Sequence, residues 1–216
     1  MKKYKIAIIS LMILSFVVVG ISFAFLSDII PIHFGIDGKP DQFGSKYVML
    51  MFPVLSVVIG LTMLLVCKYG NNTENYNKYM LLTGVIIELL FTSLSIYFVI
   101  YAYNYSDENV LDTSKIVMTL MGVMFILMGN FMPKIEKNRT LGFKIYWSMY
   151  NEVTWQKTHR FTGFASVTCG VIAILSGLFF KDTVNFIILV ILLSGLIIST
   201  TVASYIYYKE EKAKEN

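Results

Sequence analysis

Residues 129–163 read GNFMPKIEKNRTLGFKIYWSMYNEVTWQKTHRFTG, a polar segment between two long apolar runs. It holds six of the 18 Lys and Arg, both Trp and one of the two His. Working outward from it, apolar runs occupy approximately 6–26, 47–67, 79–103, 116–132, 161–180 and 184–208. Each falls in the range of about 17–25 residues that crosses about 30 Å of hydrocarbon as a helix. None alternates with period two, so a spanning β-barrel is excluded, and each segment must satisfy its own backbone as a helix. The expected fold is an all-α membrane protein, a six-transmembrane-helix bundle with an interfacial cytoplasmic elbow before helix five.

Composition agrees with that reading. Of the 216 residues 56% are hydrophobic and only 15% charged, with a mean hydropathy of +0.66. A soluble domain carries about 25% charged residues. The net charge of +4 is no nucleic-acid signal, because the cations report topology. With the N-terminus inside, 14 of the 18 Lys and Arg fall in inside segments, which predicts both termini in the cytoplasm. The start, Met1-Lys2-Lys3-Tyr4-Lys5 before an apolar run and Ser22-Phe23-Ala24, resembles a secretory signal. The run is long for such a signal, and an uncleaved first span is expected. Cys67 and Cys169 lie in or near their spans, so no structural disulfide is expected.

The chain divides into 1–67, with two spans and an outside loop at 27–46; 68–128, with spans three and four; and 129–216, with the polar segment and spans five and six. All belong to a single bundle. In the outside loop Asp37-Gly38 and Pro40-Asp41 are turn signals, and Ile32, Phe34, Ile36 and Phe43 are too apolar for a loose tether. A compact hairpin-like cap over the outer mouth is expected, with Ser45 capping the second span. The connection at 181–183 is so short that spans five and six must form an antiparallel hairpin. In the polar segment Pro133 ends span four, Asn138 to Gly142 is turn-like, and Asn151 is an N-cap with Glu152 in the first turn. A helix starting there runs unbroken into span five. It carries Glu152, Trp155, Gln156, His159 and Gly163 on one face, while Lys157 and Arg160 point toward headgroups. Tyr146, Trp147, Tyr150 and Trp155 read as interfacial aromatics.

Two constellations resemble a known family. Gly129-Asn130-x-Met132-Pro133-Lys134, then Asn138, Gly142, Trp147, Asn151-Glu152, Trp155, Lys157-Thr158-His159-Arg160 and Gly163, resembles the signature of the SdpI family of bacterial immunity membrane proteins. Ile30-Pro31-Ile32-His33-Phe34, Gly38-x-Pro40-Asp41 and Gly44-Ser45-Lys46 resembles the small DUF1648-like domain that precedes that signature. The resemblance implies a multi-pass protein of the bacterial cytoplasmic membrane. It implies protection against a secreted peptide toxin and, in some members, signalling to a cytoplasmic repressor. Where the family shows Gly-Ile-Arg-Thr-Pro-Trp, this chain has Gly142-Phe143-Lys144-Ile145-Tyr146-Trp147, so Lys144 keeps the charge without the planar guanidinium.

Candidate partner-binding residues on the inside are therefore Asn130, Pro133, Asn138, Gly142, Lys144, Trp147, Glu152, Trp155, Lys157, Thr158, His159 and Arg160. His159 either binds a partner or bonds a backbone group freed by the bend. Outside, Pro31, His33, Asp37, Pro40 and Asp41 are candidates for recognition, against plain turn chemistry. The acids Asp107, Glu108 and Asp112 would add a negative rim. Glu88, in the middle of span three, either carries protons or receives a cationic peptide, or it is protonated and shares a hydrogen bond with a Ser or Thr of a neighbouring span; helix three itself offers Thr83, Thr92 and Ser93. Methionines 118, 121, 124, 128 and 132 form a packing stripe on span four. Small residues on spans five and six, among them Gly163, Gly170 and Gly195, allow close helix approach. No Ser-His-Asp set, phosphate loop or metal-ligand spacing occurs, so no enzyme activity, cofactor or metal is expected. The rival reading is a transporter or exporter.

Overall fold

The computed structural model describes residues 1–70, 73–105 and 112–215. Six helices dominate it: α1 (Lys2–Ser22), α2 (Met51–Tyr69), α3 (Glu74–Asn104), α4 (Thr113–Phe131), α5 (Glu152–Phe179) and α6 (Asp182–Ala213). Each is long and apolar enough to cross a membrane. Large apolar side chains such as Ile13, Ile21, Ile197 and Ile198 stand more than half exposed along them. Soluble proteins do not display such surface over whole helices, whereas lipid covers it at no cost. The chain is a multi-pass membrane protein.

Helix ends follow local chemistry. The Asn151 side chain accepts the Thr154 N–H at 2.8 Å, so α5 starts at Glu152 and continues without a break, as the sequence predicts. Thr73 caps α3 through Tyr76, and Asp112 caps α4 through Lys115. A 3₁₀ turn, Lys46–Leu50, leads into α2, with Ser45 accepting from Tyr47. The segment at 135–151, expected as an interfacial helix or elbow, is an elbow of turns and holds no helix.

Strands β1 (Ile29–Phe34) and β2 (Pro40–Ser45) pair antiparallel, and make up the anticipated hairpin. Ile30 anchors it against Val19, Met49 and Val99. Because six helices alternate in direction, the hairpin and the elbow lie at opposite ends of the bundle.

The tightest seam is α4 against α5. A β-carbon on Gly129 would sit 2.7 Å from the Gly163 carbonyl oxygen, and one on Gly122 would sit 2.6 Å from that of Gly170. These glycines let two backbones touch, which supplies the packing that drives helix association in lipid. Met118 is buried in this packing, while Met124, Met128 and Met132 line the core at the elbow end. Gly195 departs from expectation, since nothing lies within 4 Å of a β-carbon there. Seam α3–α4 is the opposite case. Contacts are sparse, and a cavity of about 230 Å³ lies between Ile86, Leu89 and Leu90 of α3 and Leu120, Val123 and Leu127 of α4.

Polar clasps hold the two halves at both ends of that sparse seam. At the hairpin end Thr183 Oγ1 donates to the Ile36 carbonyl at 3.1 Å, and Gly38 (φ +75°) abuts the Asp182 side chain. At the elbow end Asn75 donates to the Lys134 carbonyl at 3.2 Å and accepts from the Glu136 N–H at 3.4 Å.

Candidate functional site

The elbow is organised by side chains that bond its irregular backbone, since a non-helical segment has no ladder to satisfy it. Asn138 uses its whole amide. Its oxygen accepts the Thr140 and Leu141 N–H groups at 2.8 and 2.6 Å, and its nitrogen donates to the Glu136 and Leu141 carbonyls at 2.8 and 3.0 Å. The buried Ser148 hydroxyl accepts from Ile145 N–H and donates toward Phe143 and Ile145 carbonyls. Pro133 packs against Gly163.

His159 is fully buried and bridges elbow to helix. Its Nε2 accepts the Phe143 N–H at 3.0 Å, and its Nδ1 lies 2.9 Å from the Trp155 carbonyl. An acceptor at Nε2 and a donor at Nδ1 define the neutral Nδ1–H tautomer. Gly142, at φ +110°, is where the chain turns to bring Phe143 onto the ring, and a β-carbon there would run into Nε2.

Trp155 departs from the expected interfacial ring. It is 0% exposed, stacks on His159 with centroids 3.8 Å apart, and donates its Nε1–H to the Ile135 carbonyl at 2.8 Å. The Ile135 carbonyl lies 20 residues away across chain without periodicity, so the sequence marked the shared face with His159 but not the burial. Trp147, Tyr146 and Tyr150 instead pack edge-on against Tyr205 and Tyr208 of α6. Tyr150 also hydrogen-bonds Glu215, which holds the phenol proton and pushes its pKa up to about 12.

The predicted helical face therefore splits. Trp155, His159 and Gly163 meet inside, while Glu152 and Gln156 are exposed. Asn130 is exposed and donates to the Ile126 carbonyl of its own turn at 2.8 Å. Lys157, expected to reach headgroups, pairs with Glu210 at 3.0 Å and Glu211 at 3.1 Å. Arg160 is exposed, Thr158 is buried, and Lys144 donates to the Arg139 carbonyl at 3.1 Å. Sequence reading missed Ser148 and Glu211. Of the two, only a serine between aromatics gave any hint of a turn.

At the opposite end His33 and Asp41 pair at 2.6 Å on the exposed face of the hairpin. Asp37 accepts the Lys39 N–H at 3.2 Å, which is turn chemistry. Pro31 lies in β1 and Pro40 opens β2. Asp107 and Glu108 of the expected negative rim fall outside the described residues. A cavity of about 410 Å³ runs beneath the hairpin, lined by Pro31, Ile32, Val48, Phe52 and Phe98.

Between the ends, Glu88 is fully buried among α1, α2 and α3. Ser56 of α2 donates to its Oε2, while its Oε1 lies beside Gly60, buried without a hydrogen-bond partner among the described residues. The partner is thus a serine of a neighbouring span, while on α3 itself Thr83 bonds Tyr79 and Thr92 bonds Leu11. Among the described residues no cluster of His, Cys, Asp and Glu could hold a metal.

The family model of the SdpI/YfhL protein family matches residues 134–204, from the elbow through most of α6. That of a domain of unknown function, DUF1648, matches residues 10–57, which carry the hairpin. The immunity protein SdpI of Bacillus subtilis (strain 168) is 28% identical over 211 residues, covering 97% of this chain and 98% of that protein. No solved structure matches the chain significantly. Matched along its elbow and its hairpin by these models, the chain is similar to the SdpI family, and over nearly its whole length it is similar to the immunity protein SdpI.

Proposed function

We propose that this protein is an immunity protein that gives its cell resistance to a secreted peptide toxin. The observation that carries the reading is the end-to-end match to a protein named for immunity. The architecture supports it: a hairpin with an exposed His33–Asp41 pair at one end, and an ordered basic elbow at the other. We place the elbow and both termini in the cytoplasm of a bacterial cell, because 14 of the 18 Lys and Arg then lie inside. The hairpin faces outward in that orientation, where a toxin arrives. The elbow, with Lys134, Lys137, Arg139 and Lys144, faces any cytoplasmic repressor.

Expression in a toxin-sensitive bacterium tests the proposal. Survival should rise against at least one secreted membrane-active peptide, and no rise across a panel of such peptides overturns it. A transporter is the second reading, and Glu88 alone favours it. Its carboxyl is fully buried and takes a hydrogen bond from Ser56, which suits a neutral, packed group better than a carrier.

A further inference from the structure

We propose that the elbow end carries a binding site for the phosphate of an anionic lipid headgroup, in the cavity of about 280 Å³ lined by Thr73, Tyr76, Lys137, Asn138, Arg139 and Thr140. The site goes beyond the immunity reading and does not rest on it. Three observations meet there. Lys137 and Arg139 both line the cavity, and neither forms an ion pair among the described residues. Two cations on one cavity wall outnumber the single carboxylate there, Glu136, and an anion between them lowers their repulsion.

Tyr76 is the second observation. It is 4% exposed, and its hydroxyl is buried without a partner among the described residues. An unpaired buried hydroxyl is costly, and a phosphate oxygen in the cavity would accept from it. Third, the cavity sits at the start of α3, whose first N–H groups and dipole favour negative charge. Glu136 also lines the wall. Its Oε2 accepts from Thr73 Oγ1 at 3.0 Å, so its charge is engaged, and it repels a bare dianion more than a phosphodiester. A monoanionic phosphodiester with hydroxyls beside it, as in phosphatidylglycerol, fits this mixed wall best. The position fits as well, because α3 enters its apolar stretch only a turn further on.

Full-length protein in nanodiscs of phosphatidylglycerol or phosphatidylcholine, released for native mass spectrometry, provides the test. Retained phosphatidylglycerol should exceed phosphatidylcholine about tenfold in the wild type. The double variant Lys137→Gln, Arg139→Gln should lose that excess, while Lys2→Gln, Lys3→Gln should keep it. Tyr76→Phe should retain about threefold less phosphatidylglycerol yet raise the melting temperature in neutral detergent, since it removes the unpaired hydroxyl. A melting-temperature rise with inorganic phosphate, lost in the double variant, would assign the site to free phosphate as well as lipid. Equal retention of the two lipids by the wild type, or an excess untouched by the double variant, overturns the proposal.

Discussion

Gly142 and His159 work as one unit. The glycine takes a left-handed turn so that Phe143 N–H meets Nε2, and the ring returns the bond to Trp155. Gly142→Ala should cost about 1–3 kcal/mol for the backbone alone and should also displace the ring. His159→Gln keeps a donor and an acceptor and should be the mildest replacement. His159→Leu strands a buried N–H and should cost about 1–3 kcal/mol. Thermal unfolding in detergent ranks the three, and a His159→Leu protein as stable as the wild type would remove the structural role. Glu88→Gln should preserve the Ser56 bond, the melting temperature and protection. A variant that melts normally but no longer protects would point to proton carriage.

Helix boundaries were legible because caps are local. Asn151, Ser45 and Asp37-Gly38 act within three residues of themselves, so their chemistry shows in the string. Partners across the bundle were not legible. Ser56 reaches Glu88, and Trp155 reaches Ile135, only after helices have packed, and no periodicity encodes which helix lies alongside. The aromatic content of the elbow read as a headgroup belt, yet its Trp155 ring turned inward, where it donates to the Ile135 carbonyl. Trp155→Phe should therefore destabilise by about 1–3 kcal/mol through that orphaned carbonyl. Gly163→Leu should do far more, since the side chain would meet the Gly129 backbone and Pro133. Loss of the wild-type's monodisperse peak on size exclusion would report it, whereas an unchanged profile would mean the α4–α5 seam can open.

Over the whole molecule, charge asymmetry and helix count lead to one arrangement, with hairpin and elbow on opposite faces. Single cysteines at Asp41 and Lys137 should react with an impermeant thiol reagent from outside and inside respectively. Labelling of both from one side would refute the six-span topology. Six-span architecture and the two family segments were readable from hydropathy and motif. The division of the bundle into a packed half and a lightly joined one was not, since hydropathy measures each helix alone.

Sparse packing between α3 and α4, with polar clasps at both ends, should make the covalent link between them dispensable. Two polypeptides, one ending after Tyr105 and the other starting at Asp112, should find each other when co-expressed and reconstitute a functional pair. Mutating Asn75 and Thr183 together to alanine should cost that pair its affinity while leaving the intact chain folded, because tethering supplies the local concentration the fragments lack.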